Sequence, residues 1–570
     1  MGVPGFFLWL WKTYKARNFV FTKNNIPDID KININNIDYF LLDMNCMIHP
    51  ICFETLKELN IDDKLDINKL ENKMISNVIN YLEKTIILAA PKKGIFLAID
   101  GVAPVAKMKQ QRLRRYKSIS DKELFDNIKK KHKKHIPYFW SNSAITPGTN
   151  FMNKLTVQLS NWAKDFCKNN PLNHNIEIIF SPGNVPGEGE HKLLQFIRNN
   201  KTIYNYVVYG LDADLIFLML STGLNTIYLM REGNNMENKG SDIMNFVSLM
   251  TMKQCIIDSI NNIINNNNII INNNNIIDDF IFICYLMGND FLPHIPALDI
   301  YNHAIDTLLE TYVDTFISTN NYIINRNNSI TINNDTFNMF LIKLASIEEQ
   351  TIIESFGKKK KKFHCQSTDP YDIEMHKIDN LMFKINDPIM LGCGSMLDWK
   401  NRFYDYHYKV TPDEINEFSQ NMVNHYMIGL KWVTLYYFDK CPSWDWYYPF
   451  DHAPFLNEMI INIYDFNKVI FILSKPLSPF EQLLTVLPKE SNYLLPIELR
   501  RIMTNINSSA AHLYPDKYEF DMIGKKKFWM CHPILPNMEI NLIRKIFEKY
   551  YIKLSENDKN INEIKSDLIF

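Results

Sequence analysis

Three short apolar segments, each ending in an aspartate, constrain the fold of this chain more than any other feature. They are YFLLD, GIFLAID and YNYVVYGLD, which end at Asp43, Asp100 and Asp212. Each has the length and apolar character of a buried strand, and stretches with helical spacing lie between them. Strands that alternate with helices predict an α/β fold with a mostly parallel central sheet flanked by helices. Because functional groups gather at the carboxyl ends of such strands, the three aspartates are expected at one sheet edge.

The chain length predicts more than one domain. It has 570 residues, of which 46% are hydrophobic and 22% charged, and this is an ordinary globular composition. The composition changes after a lysine run at 358–362, and an aromatic-dense block lies at 441–455. We therefore expect a first domain at 1–350 and a second region at 351–570. The tract NNIINNNNIIINNNN at 261–275 is low in complexity and is expected to be a surface insertion.

Net charge and cysteine usage indicate the class of protein only broadly. Lys and Arg total 62 and Asp and Glu total 63, so a polyanionic partner would have to bind a local patch. The nine cysteines lack both CxxC pairs and zinc-ligand spacing, which is typical of a reducing compartment. The apolar start at 1–17 is too short for a membrane span and lacks the charged region of a signal peptide. We expect an intracellular protein, in cytoplasm or nucleus, without membrane contact.

Acidic residues at other positions enlarge the set at the predicted sheet edge. A single strand-end aspartate often caps the next helix or begins a turn, and a glutamate pair also suits a helix N-terminus. The whole set contains seven residues, which are Asp43, Asp100, Glu188, Glu190, Asp212, Asp214 and Asp290. Seven carboxylates at one edge could not all stay ionised without cations, because like charges at close range raise one another's pKa. The sequence therefore predicts a metal site there.

The ligand type indicates which metal the site would hold. Carboxylate oxygens, with no His or Cys interleaved in the strand-end motifs, favour Mg²⁺ or Mn²⁺ over Zn²⁺. Two such ions about 4 Å apart activate water and stabilise the leaving oxygen of a phosphodiester. We therefore expect two Mg²⁺ ions, replaceable by Mn²⁺, and metal-assisted phosphodiester hydrolysis.

A basic stretch, GVAPVAKMKQQRLRRYK, follows Asp100 directly. Lys107, Gln111, Arg114 and Arg115 have the spacing of one helix face, and such a face can bind a phosphate. Residues 107–135 contain 12 Lys and Arg against three Asp and Glu. The alternative is a solvated helix face, which most charge runs form. The basic stretch lies directly after the predicted metal ligand Asp100, and this position favours phosphate binding over a solvated face.

Three other side chains have two open interpretations each. His49 lies six residues after Asp43 and could reach the same edge, but an isolated histidine is more often structural. Trp444 and Trp446 could stack on nucleic-acid bases or belong to the core. Periodicity does not separate these alternatives.

Nine sequence blocks resemble the signature blocks of the Xrn-type 5′→3′ exoribonucleases, and they occur in the same order. The blocks are MGVPGFFLWL, LLDMNCMIH, AIDGVAPVAKMKQQRLRR, ITPGTNFM, VPGEGEHK, YGLDADLIFLML, DDFIFICYLMGNDFLPHIP, WYYP and EQLLTVLP. The resemblance is dense from residue 1 to about 300 and thinner to about 540. Its specificity comes from the series of blocks rather than from any one of them.

The resemblance implies a fold, an activity and a set of site residues. The fold would be a core like that of PIN and flap nucleases, with a second α-rich region packed against it that closes the active-site pocket. The activity would be processive 5′→3′ hydrolysis of single-stranded RNA with a 5′ monophosphate, releasing 5′ mononucleotides in RNA decay. The seven acidic residues would bind the catalytic metals. Recognition of the RNA 5′ end would fall to Lys107, Gln111, Arg114 and Arg115 for the phosphate, and to His49 and Trp444 or Trp446 for the base. We expect a monomer, and the sequence does not indicate protein partners or RNA targets.

The sequence departs from the family pattern at two positions and near its end. Val105 stands where the family commonly has a basic residue, and FDHAPFLNE at 450–458 stands in place of YHYAPFISD. Because the chain ends at residue 570, we expect it to contain little beyond the catalytic core.

Two alternative functions remain open. One is a structure-specific DNA nuclease like the flap endonucleases, but those tend to carry EAEAQ and GSDY where this chain has GEGEHK and GNDFLPHIP. The other is a catalytically silent RNA-binding scaffold. Such a scaffold would have no reason to retain seven clustered acidic residues, because uncompensated charge of this kind destabilises a fold.

Overall fold

The computed structural model describes residues 5–58, 66–137, 140–169, 172, 175–210, 212–233, 244–264, 272–299, 303–356, 364–383 and 386–570. The middle of the predicted insertion, 265–271, and the lysine run at 358–362 lie outside these residues. In the part of the chain that is described, no helix is both long enough and apolar enough to cross a membrane.

The described strands form one large sheet and two small ones. Their bounds are β1 Val20–Phe21, β2 Tyr39–Asp43, β3 Gly94–Ala98, β4 Glu177–Ser181, β5 Tyr206–Tyr209, β6 Ile227–Glu232, β7 Met244–Ser248, β8 Ile324–Asn325, β9 Thr331–Ile332, β10 Phe520–Asp521, β11 His532–Pro533 and β12 Leu568–Ile569. The large sheet has the order β1-β7-β6-β5-β2-β3-β4-β12, while β8 pairs with β9 and β10 pairs with β11.

The centre of the large sheet is parallel, as the sequence predicted. Strands β6, β5, β2, β3 and β4 run in one direction, and β1, β7 and β12 add antiparallel pairs at the edges. From β2 the chain proceeds to β3 and β4 on one side and later to β5 and β6 on the other. The order therefore reverses between β2 and β5. In open α/β sheets, the crevice outside the carboxyl ends at such a reversal is where ligands bind.

Helices flank the sheet and dominate the second half of the chain. Their bounds in the first half are α1 Phe6–Tyr14, α2 Asp28–Ile34, α3 Asn45–Glu58, α4 Ile67–Ala89, α5 Val105–Lys131, α6 Asn150–Asn169, α7 Gly189–Asn199, α8 Ala213–Leu220, α9 Leu249–Ile264 and α10 Asn273–Cys284. The later ones are α11 Ala304–Thr319, α12 Asn334–Ala345, α13 Glu348–Phe356, α14 Pro370–Asp379, α15 Met396–Tyr408, α16 Ile415–Phe438, α17 Leu456–Met459, α18 Pro479–Val486, α19 Ile497–Thr504, α20 Ile540–Tyr551 and α21 Glu556–Asn562. The predicted α/β class with a second α-rich region is confirmed.

Apolar residues cover both faces of the sheet because alternate strand residues point in opposite directions. Leu41 and Val208 belong to one buried cluster, and Phe40 and Leu42 belong to another on the opposite face. The first cluster extends along the chain from residue 6 to residue 466, so it crosses the predicted domain boundary near residue 350. That boundary stays a prediction.

Candidate active site

The seven acidic residues sit on elements that meet at the carboxyl edge of the parallel strands. Asp43 is the last residue of β2, and Asp100 lies two residues beyond the end of β3. Four others lie at helix starts, with Glu188 and Asp212 immediately before α7 and α8 and Glu190 and Asp214 in their first turns. Asp290 lies in the loop that follows a 3₁₀ turn at Tyr285–Met287.

Asn45 links the first two aspartates, and the sequence analysis missed it. Its Nδ2 donates to Asp100 Oδ2 at 2.9 Å, and its backbone N–H donates to Asp43 Oδ1 at 3.2 Å. The Asp100 N–H donates in return to Asn45 Oδ1 at 3.1 Å. The only local signal was its place two residues after a strand-end acid, and many turn asparagines share that position. The amide fixes the separation of two carboxylates that would otherwise repel each other.

Gly189 explains why a glycine separates the two glutamates. Its N–H donates to Asp100 Oδ1 at 2.7 Å, so its backbone lies directly against the carboxylates. A Cβ at this position would come within 2.7 Å of Asp43 Oδ1 and 3.3 Å of Asp100 Oδ1. No side chain fits there without displacing the acids. The first turn of α7 therefore presents a bare N–H to the cluster, where the positive end of the helix favours negative charge.

The Lys107 ammonium lies within the acidic cluster rather than on an open phosphate-binding face. Its Nζ is 2.6 Å from Glu188 Oε2 and 2.5 Å from Asp290 Oδ2, and all three side chains are largely buried. Gln110 Nε2 also donates to Asp290, and Tyr436 Oη donates to Glu188 Oε1 at 2.9 Å. Lys107 thus neutralises part of the cluster in this structure, and its assignment to the RNA 5′ phosphate stays a prediction.

Burial and mutual repulsion raise the pKa of several of the acids, whereas the Lys107 ammonium lowers the pKa of Asp290. Burial, followed by the charge of Asp100, raises the pKa of Asp43 to about 8. Burial also raises the pKa of Asp214 to about 7 and that of Glu190 well above its ordinary value. For Asp290, burial would raise the pKa, but the neighbouring Lys107 holds it well below the usual range. The cluster carries more carboxylates than the Lys107 ammonium can neutralise.

The donor set fits hard divalent cations. Every side chain of the seven offers carboxylate oxygens, the ligands that Mg²⁺ and Mn²⁺ prefer. Asp214 is buried, and its Oδ1 has no hydrogen-bond partner among the residues that the structure describes. A buried carboxylate oxygen without a partner costs free energy, and a bound cation would remove that cost. The metal assignment itself stays a prediction.

The rest of the predicted phosphate face lies on α5 beside this cluster. Arg115 Nη2 donates to Thr146 Oγ1 at 2.8 Å, and its Nε has no partner among the described residues. Arg114 is exposed, and Gln111 Oε1 accepts from Gln482 Nε2 at 3.1 Å. A half-exposed cation and amide next to an exposed guanidinium form a surface that a phosphate could reach.

His49 lies within the electrostatic reach of the same groups. It is on α3, one turn after Asn45, and is half-buried. Burial lowers its pKa, Asp100 opposes that shift, and Arg115 and Arg114 add to it. A neutral imidazole beside the guanidinium groups is compatible with stacking on a base. The charges of Asp100, Arg114 and Arg115 therefore all act on His49.

The two tryptophans lie where the second region meets α5. The N–H of Val105, the first residue of α5, donates to the Trp444 carbonyl at 2.9 Å. Trp446 stacks on the buried Trp432 with ring centroids 5.3 Å apart. Both rings are half-buried, so core packing and base stacking both remain compatible with their positions. The side chain of Val105 is 1% exposed and packs in an apolar cluster.

Lys192, within the GEHK motif, binds the backbone next to the acidic cluster. It is buried, and its Nζ donates to the carbonyls of Ile99 at 2.7 Å and Pro182 at 3.1 Å. These carbonyls follow the ends of β3 and β4, so one side chain holds both strand ends together. Burial lowers the pKa of Lys192 to about 7. The sequence showed the motif, but only the structure shows that this lysine binds the backbone.

The chain is similar to known proteins over its whole length. The family profile described as XRN 5′-3′ exonuclease N-terminus matches residues 1–233. The profile described as Xrn1 helical domain matches residues 270–381 and 380–570. The 5′-3′ exoribonuclease 2 of Debaryomyces hansenii is 27% identical, with 100% of this chain and 72% of that protein aligned. The 5′-3′ exoribonuclease 1 of Homo sapiens is 29% identical, with 99% of this chain and 35% of that protein aligned. The 5′-3′ exoribonuclease 1 of Saccharomyces cerevisiae is 28% identical, with 100% of this chain and 44% of that protein aligned.

Proposed function

The chain belongs to the XRN 5′-3′ exonuclease family, and we propose that it is a 5′→3′ exoribonuclease that degrades single-stranded RNA bearing a 5′ monophosphate. The observation that carries this proposal is the joining of two features at one sheet edge. Seven acidic residues from strand ends, helix starts and one loop gather at the carboxyl edge of the sheet, and the basic face of α5 begins directly beside them. One feature suits cleavage of a phosphodiester, and the other suits recognition of its terminal phosphate.

We propose that the seven carboxylates hold two Mg²⁺ ions, for which Mn²⁺ can substitute. The oxygen-only donor set and the unpartnered Asp214 Oδ1 support this assignment. Bound there, the metal would make a water nucleophilic and stabilise the leaving oxygen of the scissile phosphate. Asn45 and Gly189 would keep the carboxylates in register, since their N–H groups hold Asp43 and Asp100 at fixed positions. Tyr436 would orient Glu188 in the same way.

Recognition of the RNA 5′ end would use the α5 face. Arg115 Nε has no hydrogen-bond partner among the described residues, and Arg114 is exposed, so the pair can offer several donors to a terminal dianion. His49 and one of the two tryptophans would stack on the terminal base. Stacking tolerates any base, and this is what degradation of RNA irrespective of sequence requires. A 5′ end held beside the metals would release one mononucleotide per cut and favour processive movement.

The biological setting is also part of the proposal. We propose a monomer that acts in RNA decay inside the cell, in the cytoplasm or the nucleus. Single-stranded RNA is its partner, and nothing in the chain identifies protein partners. The α/β core and the second α-rich region of one chain both flank the α5 face. A single chain therefore provides both sides of the proposed RNA-binding surface, and this supports the monomer.

The metal proposal is tested by an end-labelled RNA of one sequence with four 5′ ends: monophosphate, hydroxyl, triphosphate and cap. Decay is followed with Mg²⁺ and with EDTA. Wild-type protein should degrade only the monophosphate substrate rapidly, and only with Mg²⁺. Asp212→Asn should lower that rate at least about a hundredfold, because it removes a carboxylate from the cluster. Asp165→Asn, on the exposed face of α6, is the matched control and should keep the wild-type rate.

Each outcome of this test has a defined meaning. Wild-type rates in Asp212→Asn would exclude the metal assignment. Endonucleolytic cuts in a flap DNA would favour the DNA-nuclease alternative, and binding of RNA without decay would favour a silent scaffold.

The phosphate proposal is tested by the ratio of the rates for monophosphate and hydroxyl RNA. Arg115→Ala should lower this ratio about ten- to a hundredfold, because it removes a charge-assisted bond of about 1.5–3 kcal/mol. Lys130→Ala removes a cation from the exposed far end of the same helix and should leave the ratio unchanged. An unchanged ratio in Arg115→Ala would exclude this residue from 5′-end recognition.

A further inference from the structure

A second group of metal-ligand side chains lies in the α-rich region, in part at the sequence departure FDHAPFLNE. It contains His407, His452 and Asp521, and one ligand atom from each lies within 4.8 Å of the other two. His407 is in the last turn of α15, His452 is in the loop before α17, and Asp521 is in β10. Three distant segments therefore bring two imidazoles and a carboxylate to one place. The oxygen-only cluster at the sheet edge has a different chemistry.

Asp521 is the buried carboxylate of the group, and its two oxygens differ in their described partners. The residue is 9% exposed, and its Oδ1 has no hydrogen-bond partner among the described residues. The other oxygen, Oδ2, lies 3.2 Å from Lys525 Nζ and 3.8 Å from His452 Nε2. Buried carboxylate oxygens without partners are rare because desolvation makes them costly. Lys525 can therefore keep Oδ2 while Oδ1 remains available to a cation.

We propose that His407, His452 and Asp521 Oδ1 bind Zn²⁺, with a water molecule as the fourth ligand. Two imidazoles and a carboxylate are a common ligand set for Zn²⁺ and suit it better than Mg²⁺. Bonds of about 2.1 Å in a tetrahedron place ligand atoms about 3.4 Å apart, so the site must contract on binding. The imidazole ring centroids are now 3.9 Å apart at an angle of 44°, and rotation of the rings provides that contraction.

The ion would brace the elements that hold α5. The loop that carries His452 is attached to this helix, because Lys109 Nζ donates to the carbonyls of Tyr448 at 3.2 Å and Phe450 at 2.6 Å. The hairpin that carries Asp521 packs on α5 through β11. Linking the loop and the hairpin to α15 would thus fix the scaffold behind the predicted phosphate-binding face.

Zn²⁺ binding to the full-length protein tests the proposal directly. A chromophoric chelator competes for Zn²⁺ in excess Mg²⁺, and thermal unfolding is followed by circular dichroism with and without Zn²⁺. Wild-type protein should bind one Zn²⁺, and its unfolding midpoint should rise by roughly 2–5 °C at a large excess over Kd. His452→Gln and Asp521→Asn should bind at least about tenfold more weakly and show no rise.

Two control variants separate this site from other binding. Asp212→Asn changes the acidic cluster, and His425→Gln removes another half-buried histidine of the same region. Both should bind Zn²⁺ as the wild type does. Zn²⁺ affinity in His452→Gln equal to that of the wild type, or no Zn²⁺ bound by the wild type, would overturn the proposal.

A gain of spectroscopic signal covers the case in which those variants fail to fold. His452→Cys keeps a ligand at the same position but supplies a thiolate. With Co²⁺ in place of Zn²⁺, this variant should show a thiolate-to-metal charge-transfer band that the wild type lacks. A folded His452→Cys protein without that band would also overturn the proposal.

Discussion

Replacing Lys107 by methionine should destabilise the metal-free protein severely and the Mg²⁺-bound protein much less. The ammonium contacts Glu188 at 2.6 Å and Asp290 at 2.5 Å, and the exposed fractions of the three side chains are 14%, 5% and 6%. Methionine keeps the length and apolar stem of lysine but removes the ammonium from beside two buried carboxylates. Removing one partner of a buried ion pair costs about 3–5 kcal/mol.

The magnitude follows from burial rather than from the number of ion pairs. A partly exposed pair on the same helix, Lys122 with Asp126 at 2.8 Å, contributes about 0.3–0.5 kcal/mol as an i,i+4 contact. Lys122→Met is therefore the matched control, with the same substitution at a partly exposed site. For a unit of roughly 350 residues, with an unfolding entropy of about 2.1 cal/mol/K per residue, 3–5 kcal/mol corresponds to a fall of roughly 4–7 °C in the unfolding midpoint.

The assay is thermal unfolding by circular dichroism of wild type, Lys107→Met and Lys122→Met in EDTA and in Mg²⁺. In EDTA, only Lys107→Met should show the large fall. Mg²⁺ should restore much of it, because a divalent cation can take the place of the ammonium beside the carboxylates. A fall in Lys107→Met no larger than in Lys122→Met would refute the electrostatic argument, and a large fall that Mg²⁺ leaves unchanged would refute metal binding at these carboxylates.

Three further outcomes follow from the geometry. Gly189→Ala should lower RNA-decay rates at least about tenfold, because its Cβ would come within 2.7 Å of Asp43 Oδ1. Gly183→Ala is the control and should keep the wild-type rate, because the nearest atom to its Cβ, the Asp100 carbonyl oxygen, would lie 3.4 Å away. Equal rates in the two variants would contradict the steric argument. Burial raises the pKa of Asp279 to about 7, above the unfolded value near 4, so ionisation of Asp279 should reduce the free energy of unfolding as pH rises from about 4 to 7. Urea unfolding of Asp279→Asn across that range should therefore depend less on pH than that of the wild type. An unchanged pH dependence would show that Asp279 is not its source. Tyr436→Phe should lower the free energy of unfolding of the metal-free protein by about 1.5–3 kcal/mol, as measured in urea, because the buried Glu188 loses a hydrogen-bond donor at 2.9 Å. A decrease below about 0.5 kcal/mol would show that water replaces the hydroxyl.

Local patterns predicted the fold because they are encoded within short stretches. The segments that end at Asp43, Asp100 and Asp212 have the continuous apolar character of strands buried on both faces, and each strand forms where expected. Strand ends were less accurate, since β3 ends two residues before Asp100 and β5 ends three residues before Asp212. The parallel arrangement then brings the three acids to one edge irrespective of the sequence between them.

Side-chain partners depended on tertiary packing. Helical spacing placed Lys107 on one face with Gln111 and Arg115, but periodicity gives the direction of a side chain and not the element that it meets. The first turn of α5 lies against Glu188 and Asp290, so Lys107 enters the acidic cluster while Arg115 bonds to Thr146. Tyr436, from α16, reaches the same cluster from a part of the chain far away in sequence.

The sequence by itself determined the acidic edge, the basic helix beside it and the family to which the chain is similar. Hydrophobic periodicity and strand-end acidic residues form patterns within about five to ten residues, and patterns of that length can be recognised in a single sequence. Only the tertiary structure decided that Lys107 neutralises the acids, that Gly189 must lack a side chain, and that His407, His452 and Asp521 converge. Those outcomes depend on atoms that approach within a few ångströms after distant segments pack, and no local pattern carries that information.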